Sequence, residues 1–148
     1  MDLDAWSACL RTLADPTRVR LLVLLEREEL TVAELSAVTR LAQPRVSTHL
    51  AKLKEAGLAR DRRAGVSAYY RFDAEGLDPG ERQLWETLRD ATDDPLLRQD
   101  ADRLPAVLAT RAAGSRSASC RSSGSSVASR SVSQRRRSPG SRPSASKR

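Results

Sequence analysis

His49 is the only histidine of the 148-residue chain, and it stands in the stretch Gln43-Pro44-Arg45-Val46-Ser47-Thr48-His49-Leu50 beside an arginine and two hydroxyls. An imidazole in that company could hold a metal, move a proton or face a nucleic acid. A metal centre needs further ligands, yet there is no second histidine, no nearby cysteine and no paired carboxylate at ligand spacing. A catalytic base needs a nucleophile and an orienting group, and no such constellation, Gly-rich dinucleotide fingerprint or P-loop occurs. The sequence therefore predicts no enzyme, no cofactor and no metal. Gln43, Arg45, Ser47, Thr48, His49 and Lys52 suit DNA instead: Gln pairs with adenine, Arg with guanine, and hydroxyls with base edges or phosphate.

Those residues must be carried on something rigid. Leu3 to Ala14 place apolar residues on one stripe at helical spacing, and Asp15-Pro16 supplies an N-cap and a first-turn proline for a second helix through Val19 and Leu21 to Leu25. Thr31-Val32-Ala33-Glu34 is a capping box that opens a short third helix with Val32, Leu35 and Val38 inward. After a few residues of turn, Pro44 begins a fourth helix with Val46, Leu50 and Leu53 on one face and Gly57 at its end. Two helices joined by one tight turn have helix-turn-helix spacing. The runs Leu58 to Arg62 and Val66 to Phe72 flank Arg63-Ala64-Gly65, and Val66, Ala68, Tyr70 and Phe72 alternate with polar neighbours, which predicts a β-hairpin with one apolar face. Asp78-Pro79-Gly80-Glu81 and Asp94-Pro95 open two more helices; Pro105 is expected to kink or end the last.

Charge divides the chain. Up to Arg103 there are 16 Lys and Arg against 19 Asp and Glu, whereas Leu104 to Arg148 holds 10 basic residues, 14 serines and no acid. The net charge of +7 therefore says nothing about the folded part. From Gly114 onward almost only Ser, Arg, Ala, Gly and Pro occur, too little apolar surface to offset about 1 to 2 kcal/mol of backbone entropy per residue. The expected organisation is a winged-helix domain over 1–92, a helical linker over 93–113 and a disordered basic tail over 114–148. Cys9 and Cys120 form no C-x-x-C pair, no secretory signal opens the chain, and no apolar run would span a bilayer. A cytoplasmic protein with no membrane association is expected.

Helix, helix, helix-turn-helix, hairpin, helix is the order of a winged helix, mainly α with a small β-hairpin wing. The stretches ADPTRVRLLVLL, QPRVSTHLAKLKEAGL and ARDRRAGVSAYYRFD resemble the ArsR (SmtB/ArsR) family of bacterial winged-helix repressors. The resemblance implies a homodimer on a pseudo-palindromic DNA operator, with Arg60, Arg62, Arg63 and Arg71 of the wing joining the reading helix at the DNA. It also implies a dimer surface on the first and last helices of that fold, here Trp6 and Leu10 with Leu84, Trp85 and Leu88. Arsenic-sensing relatives carry ELCVCDL where this chain has ELTVAEL, Glu29 to Leu35, so Thr31 and Ala33 replace the two soft thiolates. An unknown small-molecule or redox effector is left as the signal, with Cys9 more simply read as an apolar residue of the first helix. The same 103 residues are also similar to the regulatory part of longer proteins in which this winged helix precedes an S-adenosylmethionine-dependent methyltransferase. On that alternative the basic tail is an out-of-frame reading of a lost enzyme domain.

Overall fold

Carboxylates and hydroxyls set most of the helix starts in the computed structural model, which describes residues 2–122. Asp2 accepts the Ala5 N–H at 2.8 Å to open α1 (Leu3–Leu13), and Asp15 accepts that of Thr17 at 2.8 Å to open α2 (Pro16–Arg27). Both capping boxes form: Thr31 with Glu34 starts α3 (Val32–Thr39), and Asp78 with Glu81 starts α5 (Pro79–Ala91). Each such cap contributes about 1 kcal/mol. Between them lie α4 (Gln43–Glu55), the antiparallel strands β1 (Ala59–Ala64) and β2 (Ser67–Phe72), and beyond α5 runs α6 (Pro95–Ser122). The mainly helical winged helix-turn-helix expected from the sequence is thus present.

The centre is α2, whose Leu21 and Leu22 are wholly buried and which touches α1, α3, α4 and β2. Val46, Leu50 and Leu53 bury the inner face of α4 against it, and burying a leucine fully is worth about 1.5 to 3 kcal/mol. Gly57 ends α4 at φ 73°, so that Leu58 N–H reaches the Leu53 carbonyl at 2.9 Å and Gly57 N–H that of Lys54 at 3.0 Å. This left-handed step turns the chain directly into β1, and Leu58 enters the core. Leu30, just before α3, exchanges two backbone hydrogen bonds with Tyr70 of β2, at 3.0 and 2.8 Å. The wing is thereby tied to the start of the helix-turn-helix.

Three expectations change. The hairpin turns on Gly65-Val66, with Ala64 opposite Ser67, so Val66 sits at the tip, fully exposed, and not on the apolar face. Trp85, expected at a dimer surface, is 1% exposed and lies tilted on Phe72 with ring centroids 5.5 Å apart. It belongs to this chain's own core. Finally, Pro105 does not end α6, and the helical backbone continues past Gly114 to Ser122. Residues after Ser122, where the rest of the expected disordered tail falls, lie outside the described residues. Among the described residues no helix is long and apolar enough to cross a membrane.

Contacts on both sides of Pro105 explain its tolerance and make the first part of α6 more than a linker. Leu104 is buried, with Val107 and Leu108 packed against the core. Asp100, 1% exposed, accepts a two-pronged contact from Arg20 of α2 at 2.8 and 2.9 Å and a third from Arg103 at 3.2 Å. The same two arginines donate to the last carbonyls of α3, Arg20 to Thr39 at 3.1 Å and Arg103 to Val38 at 2.7 Å. Further along, Arg111 grips Glu34, the capping carboxylate of α3, at 2.6 and 2.7 Å, and donates to the Glu29 carbonyl at 2.7 Å. Its guanidinium also lies 5.4 Å from the centroid of the Tyr69 ring on the wing. So α3 is held at both ends by α6. Asp100→Ala leaves Arg20 nearly buried without its carboxylate and is expected to cost about 3 to 5 kcal/mol. A urea denaturation midpoint within error of the wild type would contradict this.

Candidate nucleic-acid interface

With Val46, Leu50 and Leu53 inward, the outer face of α4 presents Gln43, Arg45, Ser47, Thr48 and Lys52, all exposed. Neither Arg45 nor Lys52 has an ion-pair partner among the described residues. That contrasts with the surroundings, where acids and bases are mostly paired. The start of α4 is also the one short-range start without a side-chain cap among α1 to α5, because Ala42 occupies the N-cap. The vacancy costs little: Pro44 has no N–H, and the N–H groups of Arg45 and Val46 both turn back to the Ala42 carbonyl at 3.0 and 3.1 Å. The positive end of the helix dipole is left without a carboxylate beside it, an arrangement that favours an external anion.

Arg40, in the turn between α3 and α4, was not singled out by sequence reading. It is exposed and adopts φ 62°, a left-handed conformation that a side chain takes at a cost of about 1 to 2 kcal/mol. The turn closes around it through the Ser36 hydroxyl, which donates to the Leu41 carbonyl. A glycine is the usual signal for such a turn, and here a cation stands in its place, next to the uncapped end of α4.

His49, grouped with the DNA-facing residues on the sequence, is turned inward instead. Its ring is largely buried between α4 and the start of α2, with Nδ1 enclosed, without a hydrogen bond, and 3.7 Å from Asp15 Oδ2. Burial lowers its pKa; Asp15 works in the opposite direction, and Arg18, Arg45 and Lys52 add to the lowering. Asp15 is itself held below the usual carboxylate range: burial opposes this, but the Thr17 N–H, His49 and Arg18 outweigh it. His49 therefore braces the reading helix against the cap of α2.

Strand register separates the four wing arginines. Residues directly opposite one another share a face, so Asp61 with Tyr70 and Arg63 with Ala68 occupy the side nearer α4, where Lys54 pairs with Asp61. Arg60, Arg62 and Arg71 occupy the other side. There Arg60 pairs with Asp73 at 3.3 Å and Glu75 at 3.0 Å, while Arg62 pairs with Glu29 at 2.5 Å and stands over the Tyr69 ring. Arg71 lines an open cavity of about 390 Å³ with Glu26, Glu28 and Glu29. Arg63 has no ion-pair partner among the described residues and flanks the turn at the wing tip. Of the expected wing contacts, Arg63 is the uncommitted one on the side of the reading helix.

At the other end of the domain, the Trp6 ring covers the first turn of α5 so closely that a Cβ on Gly80 would come within 2.8 Å of it. Leu10 and Leu3 on α1 are exposed, and Leu84 and Leu88 on α5 are half-buried. Cys9, on the inner stripe of α1, is 5% exposed; burial first and the charge of Glu81 second push its thiol pKa up, which keeps it protonated. Thr31, in the stretch where thiolates stand in other sequences, spends its hydroxyl in the capping box.

The profile described as "Bacterial regulatory protein, arsR family" matches residues 15–61, from the cap of α2 to the first strand of the wing. Residues 15–61 are thus similar to the arsR-family regulators. The arsenic resistance transcriptional regulator ArsR1 of Pseudomonas putida is 50% identical over 66 residues, covering 44% of this chain and 52% of that protein. Reduced HlyU from Vibrio cholerae superimposes with a TM-score of 0.53 at 26% identity, covering 62% of this chain and 92% of that one. The homodimeric winged helix-turn-helix DNA-binding domain Mb0332 from Mycobacterium bovis does so with a TM-score of 0.52 at 28% identity, over 60% and 78% of the two chains. The chain spans about half the length of the curated relatives it matches.

The His49 environment gives a pH dependence of defined sign. Lowering the folded-state pKa below the ordinary value of 6.5 means the unfolded chain binds more protons between the two values, so stability rises with pH there. The contribution is complete above about 6.5 and is lost as pH falls through the folded value; that of Asp15, with its pKa lowered from 3.8, is lost only in stronger acid. Urea midpoints at about pH 7 and about pH 5 should therefore fall further in the wild type than in His49→Gln, this being the one histidine of the chain. Equal falls in both proteins would remove His49 as the cause.

Proposed function

We propose that this chain is a DNA-binding transcriptional regulator, acting as a homodimer that represses by occupying a pseudo-palindromic operator. The observation that carries the reading is the outer face of α4, where Gln43, Arg45, Ser47, Thr48 and Lys52 are exposed and both cations are unpaired. The N-terminal end of such a helix enters a major groove, and Arg45 and Gln43 stand on that end with the donors and acceptors for paired hydrogen bonds to guanine and adenine. Arg40 beside it and Arg63 on the wing are the cations that contact phosphate. Arg62 ties the wing to Glu29 of the α2–α3 connection and Arg60 ties it to Asp73 and Glu75 beyond β2, while His49 holds the angle of α4.

Dimerisation uses α1 and α5, with exposed Leu3 and Leu10 and half-buried Trp6, Leu84 and Leu88 as the contact. The relative from Mycobacterium bovis is homodimeric, which supports a pair of chains, and a two-fold symmetric pair sets two reading helices about one turn of duplex apart. The signal that releases the DNA does not use a thiolate pair at Thr31 and Ala33, and it enters elsewhere.

The test is a fluorescence-anisotropy titration at fixed salt on a duplex selected from a random pool by the wild-type protein. Arg45→Ala is expected to weaken binding by about 1 to 3 kcal/mol and to relax the preference for one base, and Lys52→Ala to weaken binding to all sequences alike. Leu10→Glu should convert the dimer to monomer in sedimentation velocity and abolish tight binding to the two-fold site. Unchanged affinity of both α4 variants would overturn the assignment of this face.

A further inference from the structure

We propose that the open groove between α1 and α4 is a second seat for the DNA backbone, with Arg11 as a phosphate-positioning residue on the first helix. This rests on the DNA-binding reading above and extends its footprint to an element outside the helix-turn-helix and the wing. The groove has a volume of about 490 Å³ and is lined by Arg11, Arg18 and Lys52, with Glu55 as its acid. Ala8 and Ala56 line it as well, so small side chains leave room for a sugar-phosphate chain to approach closely.

The charges that face the groove differ in their commitments. Arg18 is 9% exposed and fixed in place: it donates to the carbonyls of Thr12 at 2.5 Å and Arg11 at 2.8 Å, closing the end of α1, and stands 3.4 Å from Asp15. It contributes a fixed positive charge behind the groove. Arg11 and Lys52 are exposed and have no ion-pair partner among the described residues, while the acids nearby on other elements are engaged, Asp15 with Arg18 and Asp61 with Lys54. The result is a local excess of positive charge on a domain whose overall balance up to Arg103 is negative.

Its position suits the same duplex. Lys52 follows Arg45 by two helical turns, about 10.5 Å along α4. The face that presents Arg45 to the bases therefore continues through Lys52 into the groove and on to Arg11. When the N-terminal end of α4 enters a major groove, the strand that borders it is the polyanion available to these two cations, and contacts of that kind fix register without reading sequence.

The experiment measures the full-length chain on the selected operator and on a scrambled duplex, each across a series of salt concentrations. Arg11→Gln is expected to weaken binding several-fold on both duplexes by the same factor and to flatten the dependence of log K on log salt by about one unit, the loss of one phosphate contact. Arg11→Lys should restore the slope, and Glu55→Gln should tighten both complexes by removing the acid. Thermal melting of each variant separates loss of contact from loss of α1; if Arg11→Gln unfolds, Glu55→Gln and Arg11→Lys decide the matter. Wild-type affinity and slope in Arg11→Gln, alongside weakened binding by Arg45→Ala, would overturn the groove while leaving the reading helix standing. Failure of both variants to weaken binding would remove the DNA reading itself. An effect on the operator but not on the scrambled duplex would assign Arg11 to sequence readout and overturn a phosphate seat.

Discussion

A carboxylate that is almost wholly out of water must be paired, and in this fold the pairing of Asp100 decides how the helices meet. Arg20 and Arg103 converge on it from α2 and α6, and both are then in position to donate to the last carbonyls of α3. Removing the acid would leave the guanidiniums to repel one another over the end of α3. With it present, they satisfy carbonyls that a short helix otherwise leaves to water, and they complement its dipole. At the opposite end, Arg111 completes the capping box through Glu34 and reaches the wing at Tyr69. The helix that packs against α4 is therefore clamped at both termini by residues 65 and 77 positions away in the chain, far beyond the reach of any local rule.

The same economy explains why the two faces of the wing differ. Glu29, Asp73 and Glu75 lie on the side away from α4 and draw Arg60 and Arg62 to them, while Lys54 and Asp61 neutralise one another between helix and strand. Exposed pairs of this kind contribute little to stability, typically less than about 1 kcal/mol each. Their effect is on orientation. A wing fixed on one side by the ion pairs of Arg60 and Arg62 presents Arg63 on the side shared with α4.

The elements that depend on nearest neighbours were legible in the sequence: the caps at Asp15, Thr31 and Asp78, the left-handed step at Gly57, and the buried stripe of Val46, Leu50 and Leu53. Each rests on residues within one or two turns of each other. What was not legible depended on register or on distant partners. Period two identified the hairpin but not that its turn is Gly65-Val66, and that detail decides which arginines share a face. Trp85 and Leu84 are adjacent on an amphipathic helix, and only packing shows that the indole goes to Phe72 and the leucine stays half outside. Pro105 suggests a kink or an end because the local rule is right about the hydrogen bond it removes; burial of Leu104, Val107 and Leu108 on the flanking turns outweighs it. For the candidate interface, the α4 residues were visible from their pattern, whereas Arg40 and Arg11 were not, since neither belongs to a motif.

A domain with more acids than bases over its first 103 residues faces long-range repulsion from a polyanion, and this bears on how it could bind one. The acids are largely spent. Asp15, Glu29, Glu34, Asp61, Asp73, Glu75 and Asp100 each sit against an arginine, lysine or histidine of another turn or element. Pairing makes these groups short-range dipoles, so at physiological salt, where screening acts over about 8 Å, their negative charge hardly reaches the outer face of α4. Arg40, Arg45, Lys52 and Arg63 have no ion-pair partner among the described residues, so their charge is not cancelled at short range. The uncapped first turn of α4 follows the same logic: a carboxylate at position 42 would stabilise the helix but would cancel the positive end of its dipole. The omission costs little there, since Pro44 has no N–H and the next two N–H groups turn back to the Ala42 carbonyl.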